Sequence, residues 1–251
     1  MNADLALALS LADAADTITL QGFGSASRGV RTKPDLSPVS DADEAVERMI
    51  RERLAAERPG DGVIGEEFGV TGDTARRWII DPIDGTKNYI RGVPVFATLI
   101  ALEERGRIVT GVVSAPALQR RWYAAAGEGA FCNGAAIRIS AVPSVSEAFL
   151  GYDGIVDFEV LGTSEPLLRL VRKCARTRGF GDFWIHMMVA EGAIDIAVEA
   201  RVAMWDVAAV RVIVEEAGGR FTDLAGVAAH NVGSALSTNG LLHDEVLEML
   251  R

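Results

Sequence analysis

Apolar residues recur at helical spacing over residues 3–21, with Leu5, Leu9, Ala12 and Ile18 near one stripe. They do so again in EAVERMIRERLAAERPG (44–60), where Val46, Met49, Ile50 and Leu54 share a face and Pro59-Gly60 ends the run. Two amphipathic helices are predicted. Between them RGVRTKPDLSPVSDAD (28–43) has no period, and its prolines and serines predict an exposed, mobile loop. The texture then turns to strands. DGVIGEEFG (61–69) is a short strand running into acids, and RRWIIDP (76–82) is a second. FATLIALEERGRIVTGVVSAP (96–116) reads as two strands joined at Arg105-Gly106, and RRWYAAAGEGAFCNGAAIRIS (120–140) as further antiparallel strands with Gly turns.

Beyond AVPSVSEA (141–148) strand and helix patterns alternate. AFLGYD, IDIAVEA, RFTDLAG and SALSTNG read as strands. PLLRLVRKCA, DFWIHMMVAEGA, WDVAAVRVIVEEAGG and LLHDEVLEML read as helices, the third ended by Gly218-Gly219. The pattern predicts an α+β part over residues 1–142 and an α/β part over residues 143–251.

With 251 residues, about half of them apolar, the chain can bury a full core. A formal charge of -10 disfavours nucleic acid and anionic membrane, so a phosphorylated ligand needs local cations to reverse the sign. The N-terminus lacks a basic n-region, and the longest apolar run, VPVFATLIAL (93–102), is too short to span a bilayer. Cys132 and Cys174 have no CxxC spacing and read as buried free thiols. A cytoplasmic protein is the expectation.

The candidate chemistry lies in acids at the ends of predicted elements. Asp43 and Asp206, taken singly, read as helix N-caps. Glu66-Glu67 reads equally as a solvated turn, and Asp84-Gly85 as a simple turn. Asp81 resists that reading. It follows Trp78, Ile79 and Ile80 directly, where burying a bare charge is costly, and Pro82 limits relaxation. The run Asp81-Pro82-Ile83-Asp84-Gly85-Thr86 offers two carboxylates, a carbonyl and a hydroxyl, an oxygen set suited to Mg2+. If TKNYI starts a helix, its first N–H groups can hold phosphate. His186, His230 and His243 show no ligand spacing and read as structural or exposed.

GEEFG (65–69), WIIDPIDGTKNYIRGVPVFATLIAL (78–102), GEGAFCNG (127–134) and WDVAAVRVIVEEAGG (205–219) resemble, in order and spacing, the signature segments of the inositol monophosphatase-like metal-dependent phosphatases. The resemblance spans nearly the whole chain. It implies an α-β-α-β-α layered sandwich, two to three Mg2+ ions, a homodimer, and hydrolysis of a small phosphate ester by in-line attack of water. It also implies residue roles. Glu66, Asp81 and the Ile83 carbonyl would bind the activating ion; Asp81, Asp84 and Asp206 a second; Asp43 a third through water. Thr86 with Glu66 would orient the attacking water, and Asp84 with the Gly85 and Thr86 N–H groups would meet the phosphate.

RTRGFGDFWIHMMVAEGAIDIAVEA (176–200), with RTKPDLSPVSDADEAVE, GVVSAPALQRRWYAAAGEGAF and LSTNGLLHDEVL, is similar to the histidinol-phosphate phosphatases of that family, above all the actinobacterial type. The ester implied carries an ammonium and an imidazole, which want acidic partners. Asp182 and Glu199 are the candidates, with helix N-cap and surface acid as their plainer readings. Arg178 reads equally as a substrate contact or a brace between subunits, Lys33 could reach toward phosphate, and Phe183 and Trp184 read as core before imidazole wall. The alternatives are an inositol or sugar phosphate phosphatase, a nucleotide 3'-phosphatase, and a silent phosphate-binding protein.

Overall fold

A computed structural model describes residues 2–24, 30–32, 38–72, 75–228 and 233–251. Helices α1 (Ala3–Gly22) and α2 (Asp41–Glu57) flank a two-residue pair, β1 (Arg31–Thr32) with β2 (Pro38–Val39). The stretch expected as loop up to residue 43 therefore ends earlier. Ser40 donates both its N–H and its hydroxyl to Asp43 Oδ2, a cap that starts α2 at Asp41, three residues before the apolar period begins. Lys33 and the rest of that loop's centre, and His230, lie outside the described residues.

Among the described residues the large sheet has eight strands. They are β3 (Gly62–Gly65), β4 (Gly69–Thr71), β5 (Arg76–Asp84), β6 (Ala97–Glu104), β7 (Arg107–Ala115), β8 (Arg120–Ala125), β9 (Ala130–Cys132) and β10 (Ala135–Ala136), in the order β10-β9-β8-β7-β6-β5-β3-β4. Within this sheet, among the described residues, only β3 and β5 pair in parallel. Helix α3 (Thr86–Arg91) follows β5. The small sheet holds β11 (Phe149–Tyr152), β12 (Arg176–Gly179), β13 (Ile196–Glu199), β14 (Arg220–Thr222) and β15 (Ala235–Thr238), in the order β12-β11-β13-β15-β14. Helices α4 (Ile155–Val160), α5 (Ser164–Lys173), α6 (Asp182–Ala190), α7 (Met204–Glu216) and α8 (His243–Leu250) complete the fold.

Alternation along the strands explains the layers. On β5, Trp78 and Ile80 pack against α1 and α2, while Ile79 faces the opposite side with α6 and α7. On β6, Ile100 and Leu102 join the first side, Leu99 and Ala101 the second. Both faces are covered, so these strands read as unbroken apolar runs. Ile185 and Val189 of α6 also meet Ala197 of β13, and α5 and α8 close the outer face of the small sheet through Leu167, Leu170, Val246 and Leu250. The layers run helix, sheet, helix, sheet, helix, the sandwich that the family resemblance implies. Close approach sets the middle layer: a Cβ on Gly111 of β7 would lie 2.5 Å from Val212 Cγ1 and 2.7 Å from the Ala209 carbonyl of α7.

Helix α4 and strands β4 and β12 were not predicted. Cys132 is buried as expected, but Cys174 is half-buried; both thiols are free and burial pushes each up to about 11. No helix among the described residues is long and apolar enough to cross a membrane.

Candidate active site

Strand β5 carries two aspartates into the core because it bulges. Asp81 pairs with Leu99 and Asp84 with Ala97, three steps on β5 against two on β6. Residues three apart face opposite ways in a regular strand; the extra residue lets Asp81 and Asp84 face the same way. Pro82, which has no N–H for a ladder, sits in the irregular part, and its carbonyl accepts from Thr98 Oγ1 at 2.7 Å.

Asp43 and Asp206 are third residues of their helices rather than caps. Asp43 Oδ2 accepts the Ser40 N–H at 2.8 Å, and Asp206 Oδ2 accepts the Ala203 N–H at 2.7 Å. In each case one oxygen is anchored to backbone and fixes the direction of the other. Oxygens of Asp81, Asp84 and Asp206 lie within 4.8 Å of one another. Thr86 Oγ1 lies 3.0 Å from the Ile83 carbonyl and 3.5 Å from Asp43 Oδ1, drawing Asp43 to the same place.

Glu66 follows β3, where its N–H donates to the Ile80 carbonyl at 3.3 Å. A residue the sequence did not single out holds this turn. Glu47 of α2 is fully buried, and its carboxylate accepts the N–H groups of Glu67 at 2.7 Å and Phe68 at 3.1 Å, and Arg51 Nε at 2.7 Å. Arg51 also reaches Thr71 Oγ1 and the Gly69 carbonyl on β4. A Cβ on Gly65 would collide with Glu47 Oε1, so Gly65 makes room for the clamp.

The cluster is electrostatically unfavourable by itself. Burial first, then Glu66, Asp84, Asp206 and Asp43 in that order, pushes the Asp81 carboxyl well above its usual range. Burial, then Asp182, Asp206 and Glu199, does the same to Asp84. Burial raises Asp206 to about 7. Asp81 Oδ1 is buried and accepts no hydrogen bond. A bare carboxylate oxygen amid four further acids fits a hard divalent cation, whose preferred ligands are oxygens. Glu66, Asp81, Asp84, Asp206 and the Ile83 carbonyl are the residues that could hold it.

A mainly acidic recess opens beside this cluster, lined by Asp84, Asp153, Asp182, Glu199 and Asp206 together with Arg201. Asp182 adopts φ +57°, and its Oδ2 accepts Asn88 Nδ2 at 2.9 Å. Burial, then Glu199 and Asp153, raises it to about 7. Glu199 Oε1 accepts the Asp182 N–H at 2.9 Å. Gly85, at φ +80°, lets the chain pass Asp182, whose Oδ2 would lie 3.4 Å from a Cβ there.

Over residues 2–251 the sequence matches the Inositol monophosphatase family. The chain belongs to the inositol monophosphatase family. This family member is 53% identical over 253 residues to the histidinol-phosphatase of Mycobacterium tuberculosis, covering 98% of this chain and 97% of that one. It is 50% identical to the histidinol-phosphatase of Streptomyces coelicolor, covering 98% and 96%. The Thermotoga maritima IMPase superposes with a TM-score of 0.90 at 34% identity, covering 98% and 96%. The fold and the phosphoric monoester hydrolase chemistry of the family follow.

The structure brings Asp43, Glu66, Asp81, Ile83, Asp84, Gly85, Thr86 and Asp206 to one end of β5, and Asp182 and Glu199 to the adjoining recess. Arg178 is not among the recess-lining residues: it stands on edge strand β12, its guanidinium 5.9 Å from the Phe149 ring centroid. Phe183 is buried against Trp122, and half-buried Trp184 meets Phe180 edge-on at 4.8 Å. His186 and His243 are buried and hydrogen-bonded within the protein. Asp153, raised by burial and then by Glu199, was missed; it follows a short strand and carries no spacing signal.

Proposed function

We propose that this family member is a Mg2+-dependent phosphatase that hydrolyses histidinol phosphate to histidinol and phosphate, a step of histidine synthesis in the cytoplasm. The observation that carries the reading is the junction of two acidic regions. One is a carboxylate cluster with a bare buried oxygen on Asp81; the other is a recess with Asp153, Asp182 and Glu199, sharing Asp84 and Asp206 with it. The first suits a phosphate held through cations, the second a cationic leaving group. The relatives named histidinol-phosphatase, aligned over 98% of the chain, support the same reading.

Two to three ions are proposed. Glu66, Asp81 and the Ile83 carbonyl hold the first, Asp81, Asp84 and Asp206 the second, and Asp43 supports a third through water. Ions bound there would supply neutralisation of phosphate charge and a water acidic enough to be a nucleophile near neutral pH. Thr86 Oγ1 and Glu66 would orient the attacking water in line with the phosphorus. Asp84 and the N–H groups of Gly85 and Thr86, at the head of α3, position the phosphate. Asp182 and Glu199 pair with the ammonium end, where such contacts contribute roughly 1.5–3 kcal/mol. Residues 1–142 thus form a subdomain supplying most metal ligands, and residues 143–251 one supplying Asp206 and the selecting acids. The active form is a homodimer, and Arg178 belongs to a contact between copies rather than to the recess of its own chain.

Phosphate release from histidinol phosphate, inositol 1-phosphate, fructose 1,6-bisphosphate and 3'-phosphoadenosine 5'-phosphate, with and without Mg2+, tests the reading. Histidinol phosphate should be turned over with the highest kcat/KM, and only with the cation. Preference for inositol 1-phosphate would move the chain to another branch of its family, and turnover of none of the four would leave a phosphate-binding protein.

A further inference from the structure

We infer that His186, backed by Ser237, is a positioning residue that fixes the Glu199 carboxylate and thereby sets selectivity for the leaving group of the ester; the inference rests on the proposed contact between Glu199 and the substrate.

His186 lies on α6 between the two sheets and is 1% exposed. Its Nε2 is 2.9 Å from Glu199 Oε2 and its Nδ1 2.7 Å from Ser237 Oγ on β15. An ionised carboxylate can only accept, so Nε2 carries the hydrogen; in the neutral ring, Nδ1 then accepts the Ser237 hydroxyl proton. With that tautomer the donors run one way, from Ser237 through His186 to Glu199. The other oxygen of Glu199 accepts the Asp182 N–H at 2.9 Å. Two donors on two oxygens fix the plane of the carboxylate, which lines the recess and retains lone-pair capacity for a ligand.

Packing alone does not call for this arrangement. An imidazole, a hydroxyl and a carboxylate are buried together, with the Phe221 ring 6.1 Å from the imidazole, and polar groups placed there are costly unless paired. The chain of hydrogen bonds leads to the recess. It does not lead to the metal cluster, because Asp84 is held separately, its Oδ2 accepting the Phe183 N–H at 2.7 Å. Losing His186 should therefore loosen one end of the substrate site and spare the other.

The test compares histidinol phosphate with p-nitrophenyl phosphate, which has no cationic end, under saturating Mg2+. His186→Leu should lower kcat/KM for histidinol phosphate about tenfold, mainly through KM, and change p-nitrophenyl phosphate less than about twofold. His186→Gln, which keeps an N–H donor, should recover much of the loss, and Ser237→Ala should show a loss of about threefold. The double variant His186→Leu/Glu199→Gln should be no worse than Glu199→Gln alone. Parallel losses on both esters, no loss on either, or additive losses in the double variant would overturn the inference. Should the leucine variant not fold, Ser237→Ala carries the same contrast between esters. If Glu199→Gln discriminates between the esters and the His186 and Ser237 variants do not, only the positioning role falls. If Glu199→Gln does not discriminate, the substrate role of Glu199 falls and takes this inference with it.

Discussion

At the scale of single residues, Asp84 should have opposite effects on folding and on turnover. It is 8% exposed and surrounded by Asp182, Asp206 and Glu199, which raise its pKa after burial has done so. Asp84→Asn keeps the shape and can still accept the Phe183 N–H, but it gives up the charge. Turnover should fall by at least 10²- to 10³-fold, the loss of about 2.7–4 kcal/mol of transition-state stabilisation. The metal-free variant should melt no lower than the parent, since a buried repulsion has been removed. Phosphate release and thermal melting on one preparation check both halves; a folded variant with near-normal turnover would refute the ligand assignment. The position of Asp81 and Asp84 at the end of a buried strand was legible because two acids flank Pro82-Ile83 directly after an apolar run. Glu47 and Asp153 were not. Glu47 with Arg51 looks in sequence like an ordinary exposed i,i+4 pair, and only the turn it meets makes it a buried clamp.

At the scale of elements, the long periodic helices and the central strands were legible and their ends were not. The apolar period of α2 begins after its true start, which the Ser40–Asp43 cap sets. Helix α4 has six residues, too few to show a period, and β12 is an exposed edge strand of Arg and Thr with no apolar alternation. The bulge in β5 depends on pairing with β6, which no local pattern reveals. The β3–β4 turn is the element most open to test. Glu47→Gln leaves one of the two turn N–H groups, or Arg51, facing an amide NH2 instead of an oxygen. Stability should fall by roughly 1–3 kcal/mol. Because the turn carries Glu66, Mn2+ affinity measured by calorimetry should weaken about tenfold, as when groups supporting metal ligands are changed. KM for substrate at saturating cation should barely move. Unchanged Mn2+ affinity would reduce Glu47 to a purely structural role.

At the scale of the whole molecule, the layered sandwich brings both parts of the chain to one acidic centre, and the cost of that convergence should be visible in its response to pH. Asp81 and Asp84 are raised above the usual carboxylate range, and Asp182 and Asp206 reach about 7. A carboxyl with a raised pKa holds a proton in the folded chain that the unfolded chain has already released. Its contribution to stability is present below the unfolded value near 4 and is lost as pH rises through the folded value. His243, pushed down to about 4 by burial, has the opposite slope, but between its folded pKa and its unfolded one near 6.5. Above pH 6.5 the carboxyls dominate. The metal-free protein should therefore melt several degrees lower at pH 8 than at pH 6.5, at about 2–4 °C per kcal/mol for a chain of this size. Saturating Mg2+ should raise the melting temperature at both pH values and by more at pH 8, because the cation needs the ionised carboxylates that protons otherwise occupy. Melting curves at the two pH values, with chelator and with Mg2+, measure all four states. If the pH dependence is the same with and without the cation, the raised carboxyls are not where the cation binds, and the metal assignment built on Asp81, Asp84 and Asp206 fails.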